Sequence, residues 1–187
     1  MIIVGITGTL GAGKGTIVDY LTKNKGFNHF SVRAFLIREI GKCGLPVNRD
    51  SMTSVANALR ERHTPSYITD CLYEEAKATG KNCVIESIRT PGEIDSLKQK
   101  GKFYLFAVDA PPEIRYERVV KRNSETDQIS FDTFLANEAR EMTSNDPNHQ
   151  NLHLCIAKAD FVFSNEGDIS ALYRKVESVL GDILQNT

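Results

Sequence analysis

The sequence predicts an α/β fold, a doubly wound parallel sheet flanked by helices. Three observations carry this. Short apolar runs of strand length recur along the chain, segments of helical periodicity separate them, and a glycine-rich loop joins the first run to the first helical pattern. Strands that alternate with helices in this way form a parallel sheet buried on both faces.

Taken in order, Ile2 to Ile6 is the first strand. No basic segment precedes it, Gly and Thr interrupt the apolar run, and Lys14 ends it far short of membrane-spanning length, so it reads as a buried strand and not a targeting signal. The loop Gly8 to Thr16 follows, and Ile17, Val18 and Leu21 give the helix after it. Gly26 marks the start of a weaker strand over Phe27 to Val32. Pro46 to Gly80 holds a polar turn and then two helical stretches, around Met52 to Arg62 and Ile68 to Ala78. The excursion over about residues 31–80 is where an acceptor is expected to dock. Cys83 to Ile85, Phe103 to Val108 and Phe161 to Phe163 supply three more strands. Ser130 caps a helix carrying Phe131, Phe134, Leu135 and Glu138. In the last helix, Ile169, Leu172, Tyr173, Val176, Val179, Leu180 and Ile183 fall on one stripe, with Asp168 as its N-cap.

A length of 187 residues allows one substantial core and leaves little room for a second, so residues 1–187 read as a single domain. With 41% hydrophobic and 25% charged residues, composition is that of a globular protein, without repeats or low-complexity tracts. A net charge of −1 gives no general attraction to polyanions, and with no tryptophan and no contiguous basic groove a nucleic-acid partner is not expected. Cys43, Cys71, Cys83 and Cys155 form no C-x-x-C pair, and His29, His63, His149 and His153 show no metal-ligand spacing. A reduced, cytoplasmic protein without a membrane partner is the expectation. Nothing in the sequence sets its oligomeric state.

Phosphate binding needs backbone N–H groups converging on one concavity, followed by a helix whose N-terminus carries partial positive charge. Gly8, Gly11, Ala12, Gly13, Lys14, Gly15 and Thr16 supply that pattern between a strand and a helix. Lys14 is placed to reach the β- and γ-phosphates, and the Thr16 hydroxyl to lie near Mg²⁺. The common form of this motif ends in Lys-[Ser/Thr]; here Gly15 intervenes and the hydroxyl arrives one place later.

Gly11-Ala12-Gly13-Lys14-Gly15-Thr16 resembles the phosphate loop of adenylate kinase and its nucleoside monophosphate kinase relatives, where the displaced threonine is normal. Asp109-Ala110-Pro111-Pro112-Glu113-Ile114-Arg115-Tyr116-Glu117-Arg118-Val119-Val120-Lys121-Arg122 is similar to their strand-to-lid-helix segment, with Arg118 and Arg122 on its two arginine positions. Val84-Ile85-Glu86-Ser87-Ile88-Arg89 resembles their strand ending in an aspartate, here Glu86, and then an arginine that holds the acceptor phosphate. Ala159 to Asn165 with Gly167 also looks like dephospho-coenzyme A kinases and a poorly characterised archaeal group of P-loop proteins. Phe30 to Leu36 and Gly44 to Asp50 are similar to the P-loop domain that can precede deoxycytidylate deaminase domains. The resemblance implies a P-loop fold of about five strands with a short lid over about residues 118–141. Two departures matter. Arg33-Ala34 stands where adenylate kinases carry Gly-Asp, so acceptor specificity does not carry over, and no acidic residue lies between Gly26 and Leu36, which weakens the coenzyme A reading.

Position assigns the remaining candidates. Glu86 ends a central strand, where a carboxylate can hold a Mg²⁺-bound water or accept a proton, and Arg89 can grip an acceptor phosphate through two parallel hydrogen bonds. Arg115, Arg118 and Arg122 recur at i, i+3 and i+7 on one helix face beside the polar stretch Asn123 to Gln128, and Arg118 and Arg122 are assigned to the lid. Arg33, Arg38, Arg60 and Arg62 are each read as surface. The expected activity is transfer of the ATP γ-phosphoryl group, with Mg²⁺, to a small acceptor, a nucleotide or nucleoside. The alternatives are a dephospho-coenzyme A kinase-like activity or a nucleotide-sensing module without turnover.

Overall fold

A run such as Ile2-Ile3-Val4-Gly5-Ile6 places successive side chains on opposite faces of a strand, and here both faces are covered. The computed structural model describes residues 1–122 and 129–185. Among these, β1 (Ile2–Gly8), β2 (Asn28–Ser31), β3 (Cys83–Glu86), β4 (Lys102–Asp109) and β5 (Phe161–Ser164) form one parallel sheet in the order β2-β3-β1-β4-β5. On one face Ile3, Cys83, Ile85 and Leu105 pack with α2 (Val32–Lys42), α3 (Arg49–Arg62), α4 (Tyr67–Thr79), α5 (Pro91–Gln99) and α8 (Leu152–Ala157). On the other, Ile2, Val4, Ile6, Phe106 and Phe163 pack with α1 (Lys14–Lys25) and α9 (Ile169–Gln185).

All five expected strands form, each with boundaries extended or trimmed by a residue or two. The weak one is the edge strand β2, whose pattern of partly exposed residues is what left its period ambiguous. Asp168 accepts a hydrogen bond from the Ala171 N–H at 2.6 Å, and Ser130 from the Thr133 N–H at 3.2 Å, as expected of N-caps. The α5 helix opens with a capping box in which the Thr90 side chain meets the Glu93 N–H and the Glu93 side chain returns to the Thr90 N–H.

The expected lid, about residues 118–141, takes in the end of α6 (Pro112–Arg122) and nearly all of α7 (Phe131–Met142). They meet through Tyr116, whose ring lies 5.1 Å from Phe131 and 5.6 Å from Phe134. The polar stretch Asn123 to Gln128 lies outside the described residues. No helix among the described residues is long and apolar enough to cross a membrane. Chain direction reverses its spatial progression at β1, with β3 on one side and β4 on the other, so a crevice opens at the carboxyl ends of these strands. Register brings Ile6 opposite Glu86 and Gly8 opposite Val108, which sets the loop, Glu86 and Asp109 along that one edge.

Candidate active site

The loop between β1 and α1 approaches its neighbours too closely for side chains at two points. Gly11 has φ +80°, and a Cβ there would lie 2.4 Å from the Arg115 carbonyl oxygen. At Gly13, with φ +110°, a Cβ would lie 2.3 Å from Asn165 Nδ2. Gly15 is different, since nothing lies within 4 Å of a Cβ built there. Gly11→Ala is therefore expected to cost about 1–3 kcal/mol from backbone strain and overlap. Gly15→Ala should instead leave stability unchanged or raise it by up to about 1 kcal/mol through helix propensity, and urea melts of the two variants check the contrast.

Ser31, Asn48, Thr90, Ser130 and Asn151 cap other helices with their side chains, but α1 has Gly13 at its N-cap, with no side chain to cap it, and no acidic residue in its first turn. Amides left open at a helix N-terminus suit an anion. Lys14 stands at this point and donates from Nζ to the Gly8 and Thr9 carbonyl oxygens at 2.8 and 2.7 Å. Burial, reinforced by the charges of Arg89 and Arg122 against the pull of Glu86 and Glu141, pushes its pKa down to about 7.

This depression predicts proton uptake on nucleotide binding. At pH 8 the free lysine is mostly neutral, and a polyanion beside it restores the ammonium. Calorimetry of magnesium ATP in two buffers of different ionisation heat should read uptake of up to about one proton at pH 8. The uptake should shrink as pH falls through 7, where Lys14 is already charged before binding.

A cleft of about 520 Å³ lies over the loop, lined among others by Lys14, Thr16, Glu86, Arg89, Arg118, Arg122 and Ile169. Glu86 Oε1 accepts from Ser31 Oγ at 2.9 Å and lies 3.8 Å from His29 Nε2. Burial works to raise the Glu86 pKa, but His29, Ser31 and Lys14 outweigh it and hold the carboxyl below its ordinary value. The next residue, Ser87, holds φ 68°, a strained conformation at the cleft wall. Arg118 donates to the Asn165 carbonyl oxygen at 2.9 Å, while its Nη1 is buried with no hydrogen-bond partner among the described residues. An unused guanidinium donor beside uncapped amides fits a phosphorylated ligand.

Arg115 departs from its two helix companions. It is buried and donates to the Ala110 carbonyl at 2.6 Å and the Leu10 carbonyl at 3.3 Å, with a two-point pair to Glu138. It braces the loop from behind, so the basic face expected of the three arginines is divided between support and cleft.

Beside the cleft lies a pocket of about 170 Å³ walled by Leu10, Val32, Leu36 and Met52 and by Arg33, Arg49, Arg89, Arg122 and Glu141. Both cavities share Leu10, Ser87, Arg89 and Arg122. Sequence reasoning missed Arg49, Glu141 and Asn165. Glu141 accepts from Arg49 Nη2 and, at 2.8 Å, from Arg89 Nη1. Asn165 holds the loop by donating from Nδ2 to the Ala12 carbonyl at 2.7 Å. Arg60 and Arg38 part company: Arg38 pairs with Glu75 at the exposed surface, whereas Arg60 is buried on Glu93. Glu61, Asp146 and His149 approach one another at the surface, with His149 Nε2 3.5 Å from Glu61 and 3.7 Å from Asp146.

A five-stranded parallel sheet whose first strand ends in a glycine loop, with a lysine at the head of the first helix, defines a P-loop protein of the kinase-like type. The chain belongs to the AAA domain family, whose model matches residues 4–146, and to the UPF0200 proteins. It is 31% identical to the UPF0200 protein of Methanococcus vannielii over 190 aligned positions, covering 100% of this chain and 98% of that one. The UPF0200 protein of Methanocaldococcus jannaschii is 30% identical, with 100% and 92% covered. Among solved structures, TT1252 from Thermus thermophilus superposes with a TM-score of 0.62 at 24% identity, covering 97% of each chain. Shikimate kinase from Bacteroides thetaiotaomicron gives 0.61 at 12% identity, covering 96% of this chain and 98% of that one. A gluconokinase from Sinorhizobium meliloti gives 0.57 at 14%, covering 99% and 94%. These likenesses establish the fold.

Proposed function

We propose that this protein is an ATP-dependent phosphotransferase that moves the γ-phosphoryl group to a small acceptor, a nucleotide or nucleoside. The observation that carries the reading is the meeting of two cavities, one over the glycine loop and one beneath α2 and α3, at Arg89 and Arg122. A transferring group needs cations between donor and acceptor, and little covalent chemistry is then asked of the protein.

In this reading the amides of Gly11 to Thr16 hold the triphosphate and Lys14 neutralises charge where it develops. Arg89 orients the acceptor, while Arg118 and Arg122 draw close to the phosphates from α6. Thr16 and Glu86 are the residues that would hold Mg²⁺, which when bound screens the phosphate charge. Glu86 can also take the proton of an attacking hydroxyl or phosphate, since the surrounding groups keep its carboxyl ionised. A lid would come from about residues 118–141, of which 123–128 lie outside the described residues, and the acceptor-binding excursion from about residues 31–80.

The test is acceptor-dependent ADP formation with Mg·ATP and a panel of nucleotides, nucleosides, dephospho-coenzyme A, shikimate and gluconate. Release with one chemical class identifies the acceptor. Nucleotide binding with no ADP from any of them overturns the phosphotransferase reading in favour of a sensing module.

A further inference from the structure

Among the described residues that line the acceptor pocket, Glu141 is the sole carboxylate, against Arg33, Arg49, Arg60, Arg89 and Arg122. Glu93 neutralises Arg60. Leaving Arg122 aside as well, Arg33, Arg49 and Arg89 outnumber Glu141 and give the pocket lining a net positive charge in a chain whose overall charge is −1. Such a pocket favours an anion, and an anion is already there, since Glu141 gives one oxygen to Arg49 and the other to Arg89.

The arrangement is that of a ligand oxyanion bridging two guanidinium groups. Arg49 is the first residue of α3 and Arg89 lies in the loop after β3, so the two stand on separate elements. The carboxylate between them comes from a third element, the last turn of α7. Burial opposes its ionisation, but Arg89, Arg49 and Lys14 keep it charged.

With Arg89 as the acceptor-orienting residue of the proposed function, we infer that Glu141, held between Arg49 and Arg89, is a tethered occupant of that seat which the phosphate of an acceptor displaces. The inference rests on the reading of this pocket as the acceptor site. A tethered carboxylate competes at every ligand concentration. A neutral molecule of suitable size does not remove it, whereas a dianionic phosphate offers the two arginines more charge than Glu141 does.

Calorimetry of inorganic phosphate and of a nucleoside 5′-monophosphate tests this with the full chain, with Glu141→Gln, with Glu141→Asp and with Glu141→Gln/Arg49→Ala. Glu141→Gln should bind phosphate about tenfold more tightly than the parent, the size of one charge-assisted contact. Glu141→Asp, whose shorter side chain holds the arginines less well, should fall between the two and serves if the Gln variant does not fold. The double variant should lose the gain, whereas phosphate held at Lys14 would not respond to Arg49. If neither single variant binds phosphate more tightly, or if the gain survives Arg49→Ala, the proposal is wrong. A gain that depends on Arg49, with no ADP formed from any phosphorylated compound, keeps the seat and removes the phosphotransferase reading. ADP formation with parent-like phosphate affinity in both single variants removes the seat alone.

Discussion

Lys14→Ala is expected to lower acceptor-dependent ADP formation by at least about a hundredfold, a loss of roughly 3 kcal/mol in transition-state stabilisation. The ammonium group lies at the one point where the glycine loop, the head of α1 and the arginines of both cavities converge. Its charge is worth more there than in water because the site is buried. Removing it gives up two hydrogen bonds, to the Gly8 and Thr9 carbonyl oxygens, while the sheet and both apolar clusters are untouched, so the fold should persist. Steady-state rates should place the loss mainly in kcat, since the interaction strengthens as charge moves onto the transferring group. Turnover equal to the parent's would remove Lys14 from the mechanism.

Arg60→Ala should destabilise the fold by about 3–5 kcal/mol, as expected when one member of a buried ion pair is removed. Arg60 and Glu93 have side-chain exposures of 1% and 0%, and Arg60 donates to Glu93 Oε1 from Nε at 3.3 Å and from Nη2 at 2.9 Å. The other Glu93 oxygen accepts from the Arg89 and Thr90 N–H groups at 2.7 and 3.1 Å. Arg60→Ala thus leaves a buried carboxylate whose remaining hydrogen bonds among the described residues come from backbone amides. Adding Glu93→Gln should recover much of the loss, because the amide oxygen can keep a backbone contact without a buried charge. Urea unfolding of the single and double variants measures both effects. An Arg60→Ala change within about 0.5 kcal/mol of the parent would mean that Arg60 behaves as a surface residue.

The division between what sequence reveals and what it hides follows from the range of the interactions. The strands at Ile2, Cys83, Phe103 and Phe161 and the loop at Gly8 to Thr16 are legible because their signals are contiguous: an apolar run, a glycine spacing, a helix start. Local rules also recover the caps at Ser130 and Asp168. The capping box of Thr90 and Glu93 was equally local and gave a missed sign of α5. Arg60 looks like a solvated charge because its partner lies 33 positions away. Glu141 sits in Arg140-Glu141, which in isolation reads as an exposed helix face, and the two arginines that fix it are 92 and 52 positions distant. Helical spacing put Arg115 with Arg118 and Arg122, but periodicity gives a direction around the axis and says nothing of how deep each side chain runs. The α8 helix is only six residues long, too short to display a period.

Asn165 has a consequence for the order in which the protein becomes competent during its own synthesis. Its side chain grips Ala12 across 153 positions, and Gly13 comes close beneath it. A nascent chain that has emerged only through β4 can pair β1 with β3 and β4, yet it lacks the amide that fastens the loop. On the proposed function, nucleotide capture is expected only after the fifth strand leaves the ribosome tunnel, and a stalled, shorter product would carry the glycine motif without its grip.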